Sequence, residues 1–338
     1  MASPVKSLCI VVPKAEGESV RKKLLDMDNL RKDLIVDRDE SNVFFPIFKK
    51  MDLGYDVKEM DFKEAGVVVR SYIDVIDIPE ELRPLLPTSF DIVGEIAVIR
   101  IPDDLKDHSS AIGNAILEAN KPIRTVVSDE GVMGEHRLRK IEVIAGENNT
   151  TTVHKEYGLS FSVDLSKAYF SPRLATERRR VAQKVQEGEN IIDMFCGVGP
   201  FSIMIAKNVS PVSIFGIDSN PYAIKSFMDN IRLNHVENVV PIQGDVRDML
   251  GSLEPADRII MDLPHRSFEF FEGALGALKE KGIVHYYEIL TEVAARDREN
   301  ELSATARNLG RDMEIEEQRV VRRYSPTQCH FAFDIKVS

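Results

Sequence analysis

The sequence predicts an α/β protein whose C-terminal half is a doubly wound, mostly parallel sheet, preceded by two smaller α/β (α+β) domains. Three observations carry this. From about residue 165, short apolar runs alternate with helical patterns at the pitch of βαβ units. A glycine loop, DMFCGVGPF (Asp193–Phe201), follows directly on the apolar pair Ile191-Ile192. Four successive strand-like runs then each end in an aspartate. The expected domains are residues 1–64, 65–162 and 163–338.

In the first domain SLCIVV reads as a strand. AEGESVRKKLLDM has helical spacing in Val20, Leu24 and Leu25, and NVFFPIF is a second extended run. YDVKEMDFKEAG reads as the transition out of it. In the second, FDIVGEIAVIRIP predicts a hairpin or bent strand with Gly94 at the bulge or turn. HSSAIGNAILEAN predicts a serine-capped helix on Ile112, Ile116 and Leu117, and TVVSDEG, LRKIEVIAG, TTVHKEYG and LSFSVDL are β-like. The third domain reads NIIDMF as strand, a helix from Pro200, SIFGID as strand, a helix over Pro221–Asn234, then VVPIQGD and RIIMDLP as strands. GALGALKEKG is helical in pattern, GIVHYYEIL extended, EVAARDRENELSATARNLG helical, and EIEEQRVVRRYSP with CHFAFDIKV an antiparallel hairpin closing the sheet.

Composition narrows the function. The 338 residues carry a formal net charge of −11, which argues against a generic polyanion binder, so nucleic acid would have to meet local basic patches. Three scattered cysteines give neither a disulfide framework nor a zinc site, and no metal is expected; a reducing cytoplasm is the expected home. No apolar segment approaches the ~18 residues needed to span a bilayer, and the N-terminus lacks a signal peptide's apolar run.

The glycine loop ends a strand and opens a helix, where doubly wound sheets bind ligands. Gly197 and Gly199 allow a tight turn and bring backbone N–H groups to a ligand. A third glycine, three residues after Gly199, would complete the dinucleotide fingerprint, but Ser202 stands there, which speaks against NAD. Asp218 is placed to accept from both ribose hydroxyls of an adenosine, its bland alternative being a helix cap ahead of Pro221. Asp245 and the N–H of Val246 suit an adenine edge, and Asp262, Leu263 and Pro264 end the fourth strand. Aspartates at four strand ends with no pyrophosphate cradle suit S-adenosylmethionine, and the region resembles a Rossmann-like class I methyltransferase domain. The DLPH stretch is similar to the loop with which such enzymes hold a planar nitrogen acceptor.

KAYFSPRLATERRRVAQ (Lys167–Gln183) and GEHRLRKIEVIAGENNTTTVHKEYG (Gly134–Gly158), together with DMFCGVGPF and GIVHYYE, closely resemble the archaeal and eukaryotic tRNA (guanine-N1)-methyltransferases, over nearly the whole chain. The resemblance implies methylation of the guanosine at tRNA position 37, next to the anticodon. It implies a monomer whose small N-terminal domain contacts distant tRNA structure. Guanine N1 is a poor nucleophile until it loses its proton, so a general base is required, with a cation for the charge building on O6. The resemblance assigns Glu177 as the base and Arg137 to O6. Asp262 falls where most of the family has Asn, and unlike an amide an ionised Asp only accepts hydrogen bonds. The cofactor set is Tyr169, Arg178, Asp193, Phe195, Gly197, Gly199, Asp218, Asp245, Val246, Asp262 and Pro264.

For RNA the expected contacts are Arg137, Arg173, Arg179, Arg322 and Arg323. Residues 166–187 hold six basic side chains against two acids, and QRVVRRYSPTQCH adds three arginines and no acid. Tyr169 also suits stacking on a base. Two alternatives stay open. One is a wyosine-pathway enzyme on the same nucleotide, methylating a tricyclic guanine or transferring an aminocarboxypropyl group; the other is a non-catalytic RNA-binding protein.

Overall fold

The computed structural model describes residues 4–64, 71–134, 138–209 and 213–338, and the chain divides into two compact units, Met1–Asp74 and Val75–Ser338. In the first, strands β1 (Val5–Pro13), β2 (Asp37–Arg38), β3 (Asn42–Ile47) and β4 (Val57–Phe62) form one antiparallel sheet in the order β2-β3-β1-β4. Helix α1 (Gly17–Asp26) buries Val20 and Leu24, two of the three positions its spacing marked, and Leu25 packs at their margin. The run YDVKEMDFKEAG is more than a transition, because β4 lies within it and pairs with β1. Its charged, half-exposed pattern is that of a sheet edge, with only Phe62 fully buried.

The second unit begins with β5 (Asp91–Val93) and β6 (Ile96–Ile99), an antiparallel pair turning at Gly94, whose φ is +56°. Helix α2 (Ser109–Ala119) crosses over to β7 (Thr125–Met133), parallel to β6, and β8 (Leu138–Gly146) completes the sheet. Serine does not cap α2: the residue before the helix is His108, and the Ser109 hydroxyl donates to the Lys106 carbonyl of the preceding turn. Strands β9 (Thr151–Glu156) and β10 (Leu159–Asp164) make a separate hairpin. The free edge of β10 is closed by side-chain amides. Asn234 and Asn230 each accept from and donate to the backbone of Ser160 and Ser162, at 2.7–3.1 Å.

Helix α3 (Ala175–Lys184) leads to the alternating part of the chain. This comprises β11 (Asn190–Asp193), α4 (Pro200–Asn208), β12 (Ser213–Asp218), α5 (Pro221–Asn234), β13 (Val239–Gln243), α6 (Val246–Met249), β14 (Ala256–Met261), α7 (Phe271–Ala277) and β15 (Leu278–Leu290). Helix α8 (Glu292–Asn308), β16 (Met313–Arg323) and β17 (Cys329–Val337) follow. The sheet runs β13-β12-β11-β14-β15-β17-β16, parallel except for β17, which pairs antiparallel on both sides. The stretch GALGALKEKG is helical only to Ala277; Leu278 turns extended, pairs with Ala256 and is buried, so β15 starts four residues before Gly282.

Ile191 and Ile192 point to opposite faces of β11 and belong to different apolar clusters, one with Phe201 and Phe227, the other with Ile259 and Phe333. Strand order reverses between β11 and β14, which opens a crevice at their carboxyl ends. Among the described residues no helix is long and apolar enough to cross a membrane.

Candidate active site

A crevice of about 1220 Å³, counting its open mouth, lies over those strand ends. Its wall includes Tyr169, Arg178, Phe195, Gly197, Asp218, Asp245, Val246, Asp262 and Pro264, all of them expected from the sequence. Asp193 and Gly199 are absent from it, and each has a different task.

Asp193 is 1% exposed and lies beneath the glycine loop, accepting from the Ser202 hydroxyl at 2.8 Å. Burial pushes its carboxyl up to about 7, with the charges of Asp262 and Asp218 adding to the effect against the Ser202 hydrogen bond. It braces the loop from beneath and lies off the crevice wall. Gly199 has φ +82°, and a Cβ there would lie 1.9 Å from the Phe227 ring, so glycine is required for packing. The loop amides are also committed internally. Gly199 N–H donates to the Cys196 carbonyl, and Gly197 N–H to Asp218 Oδ2, both at 2.8 Å.

Asp218 thus faces the crevice with its carboxylate fixed by two backbone donors, the second being Asn220 N–H at 2.8 Å. The capping alternative falls to its neighbour. Asn220 is the N-cap of α5, accepting from Tyr222 N–H, and its amide nitrogen donates to the Lys167 carbonyl at 2.7 Å, tying down the KAYFSPR segment. Asp245 lies two residues beyond β13, caps α6 and binds the Arg247 guanidinium, which together hold its carboxyl near 2. Asp262 directly follows β14, and the Pro264 carbonyl accepts from Ile289 N–H at 2.8 Å, fastening the loop to β15.

Arg178 is buried and ion-paired to Glu156 at 2.6 Å; it donates to the Ser171 carbonyl and lies 4.9 Å from the Phe170 ring centroid. Tyr169 packs against Arg139, whose guanidinium is 5.2 Å from the ring. Glu177, one residue before Arg178, is off the crevice wall, because one helical step turns the side chain by ~100°. It is buried and held by Arg180, Arg319 and Tyr287. Arg137 lies outside the described residues.

Of the arginines expected to meet RNA, Arg173 pairs with Asp91 at 2.6 Å, Arg179 lies exposed over the Tyr157 ring, and Arg323 is exposed. Arg322 reaches the crevice wall, and its Nε is buried with no hydrogen-bond partner among the described residues. Sequence reasoning missed His330, which is 1% exposed, lines the crevice and lies 3.9 Å (Nε2) from Asp262 Oδ1. The available signal was a lone ionisable residue opening the apolar run HFAF.

The sheet order, the glycine loop and an acid at the end of the second strand define a class I methyltransferase fold. Comparison with known proteins gives the family. Family models match in series: the tRNA methyltransferase 5 N-terminal domain over 9–53, the TYW2 N-terminal domain over 70–150, and the TRM5/TYW2 methyltransferase domain over 152–315. The chain is 42% identical, over 98% of its length and 99% of the relative's, to the tRNA (guanine(37)-N(1))-methyltransferase Trm5b of Pyrococcus abyssi. The crystal structure of that Trm5b matches with a TM-score of 0.82, at 41% identity over 98% of this chain and 99% of the other. A structure described as the complex of aTrm5 and tRNALeu matches at 0.81, with 32% identity over 97% and 99% of the two chains. Methanocaldococcus jannaschii TYW2 in complex with AdoMet matches at 0.57, with 27% identity over 74% of this chain and 99% of that one. The chain belongs to the TRM5/TYW2 methyltransferase family.

Proposed function

We propose that this protein methylates N1 of guanosine 37 in tRNA, using S-adenosylmethionine. The observation that carries the reading is one crevice with Asp218 on one side and the Asp262-Leu263-Pro264 loop on the other, in a chain with full-length likeness to an enzyme of that name. The residues fit the cofactor. Asp218, braced by two N–H groups, suits a ribose diol, and Phe195 and Val246 offer apolar surface to an adenine. Arg178, whose buried Nε has no hydrogen-bond partner among the described residues, suits the carboxylate of an amino acid. When bound, the cofactor supplies a methyl group on a positively charged sulfur.

The chain's own work is to orient guanine and manage its proton. Asp262 accepts from the guanine edge, and the stiff Pro264 loop limits its motion. Arg137 holds the charge on O6, and Glu177 takes the N1 proton. Glu177 reaches that role by exchanging one of its present partners, Arg180, Arg319 or Tyr287, for the guanine. Arg173, Arg179, Arg322 and Arg323 meet the phosphates, and the N-terminal unit meets tRNA away from the anticodon. The enzyme works as a cytoplasmic monomer.

The test is mass spectrometry of nucleosides from an unmodified tRNA with G at position 37 after reaction with the enzyme. The match to the TYW2 N-terminal domain keeps the wyosine reading as the second one. Methyl-labelled cofactor separates an aminocarboxypropyl transferase from both methylation readings, because only methyl transfer labels the RNA.

A further inference from the structure

Tyr157 is the first residue of the two-residue turn between β9 and β10, closed by the pairing of Glu156 with Leu159. Both turn residues have positive φ, +48° at Tyr157 and +83° at Gly158. Asn-Gly is the usual filling of such a turn, because a bulky side chain is strained at positive φ. The strain gains no burial here. Tyr157 is 51% exposed, and the Arg179 guanidinium lies 4.6 Å from its ring centroid. A cation–π contact at an exposed site offsets at most the lower end of that strain. Strain that the local contacts do not offset gathers where a side chain meets a ligand. We infer that Tyr157 is a platform on which one unpaired base of the tRNA anticodon loop stacks.

The ring is held in place before any base arrives. Its hydroxyl lies 3.4 Å from Thr176 Oγ1, and Thr176 and Arg179 are both exposed and three residues apart on α3, so they share one helix face. Glu156, next to Tyr157, is ion-paired to Arg178 at 2.6 Å, which fastens the hairpin tip to the same helix. A side chain anchored in this way loses little freedom on binding. Arg179 occupies one face of the ring and leaves the other for a base. Its planar guanidinium can stack there and still turn N–H groups towards a phosphate. Arg178, one residue before Arg179, lines the crevice. A guanosine entering that crevice brings the unpaired neighbours of its loop to α3, and single-stranded RNA is commonly held by stacking on aromatic side chains.

The inference rests on tRNA being the substrate, but not on which atom of the nucleotide is modified. Filter binding of the full-length protein to an unmodified tRNA transcript with G at position 37 tests it. Tyr157→Asn supplies a residue the turn prefers, so it should melt no lower than the wild type, yet bind tRNA about fivefold or more weakly. Its salt slope should match the wild type's, because a ring neutralises no phosphate. Tyr157→Phe keeps the stacking face and should bind within about twofold of the wild type. In transcripts made abasic at one anticodon-loop position at a time, the cost of Tyr157→Asn should vanish at the position whose base stacks on the ring. Unchanged affinity of Tyr157→Asn overturns the inference. So does a cost that persists through the whole abasic series, with or without a lowered melting temperature, since the ring is then only a turn anchor. A salt slope reduced by about one unit overturns it too, because the ring then merely props Arg179 against a phosphate. A wild type that binds no tRNA overturns the underlying reading itself, a result distinct from all of these.

Discussion

The phenolic hydroxyl of Tyr287 donates to Glu177 Oε1 at 2.8 Å, and both side chains are buried. Arg180 grips the same carboxylate through Nε and Nη2, and Arg319 approaches it at 3.4 Å. Arg180 in turn binds Asp334, which also receives His285 and Lys184. Glu177 is therefore the inner end of a polar network joining α3 to β15, β16 and β17. A carboxylate offers about four acceptor positions. The phenol and two guanidinium groups occupy most of them, so a guanine N–H must displace one.

Replacing Glu177 with Gln separates the proton acceptor from the structural anchor. Glu177→Gln keeps shape and one acceptor for Tyr287 but cannot take the N1 proton. Single-turnover methyl transfer should slow by ~10²–10⁴-fold, the usual worth of a general base, with tRNA and cofactor affinities near wild type. A variant that keeps its rate and loses thermal stability identifies Glu177 as an anchor alone.

Asp193 gives a stability signature with a defined sign. Its folded-state pKa stands at about 7 against an ordinary 3.8, because burial disfavours the anion. Between those values the native state holds a proton that the unfolded chain has released. Stability from this group is thus complete below about pH 3.8 and is lost as pH rises through about 7. Asp193→Asn is neutral throughout and can still accept from Ser202. Its melting temperature relative to wild type should climb from pH 4 to pH 7 and level off above. Parallel melting curves across that range would show that the native state accommodates the anion.

The contrast between Asp193 and Asp218 shows what was legible in the sequence. Both end a strand, and period-two patterning with the glycine loop placed both at one sheet edge. Which aspartate faces the crevice depends on the turn of the chain after it: Asp193 folds under the loop towards Ser202, whereas Asp218 meets the Gly197 and Asn220 amides. Gly199 shows the same limit, since its need for glycine comes from Phe227, 28 residues away in sequence and one helix across. Strand β4 was missed because an edge strand carries too few apolar positions to alternate visibly. His330 was missed because only the sheet order brings it to the crevice and near Asp262.

The basic segments should make tRNA binding steeply sensitive to salt, with a log–log slope of ~0.7–0.9 per phosphate neutralised. Arg323→Ala and Arg179→Ala, both at exposed positions, should each reduce that slope by about one unit at most. Cofactor affinity should barely move over the same salt range. Filter binding across a salt series measures the slope directly. A flat series would remove both arginine-rich segments from the docking surface.

Asp218 is the proposed cofactor contact whose role can be isolated most cleanly. Hydrogen bonds to a charged acceptor contribute ~1.5–3 kcal/mol each, so Asp218→Ala should weaken S-adenosylmethionine binding by at least about tenfold in calorimetry. That loss alone is ambiguous, because Asp218 also accepts from Gly197 and Asn220 N–H, and its removal loosens the loop. A ligand change resolves it. The wild type should bind S-adenosylhomocysteine about tenfold or more tightly than its 2′-deoxy analogue, because the carboxylate reads the hydroxyl. Asp218→Ala should bind the two within about threefold of each other, since contacting groups are non-additive. A loosened loop would weaken both ligands and keep their ratio. If the variant discriminates as well as the wild type does, Asp218 only braces the glycine loop and another group reads the ribose.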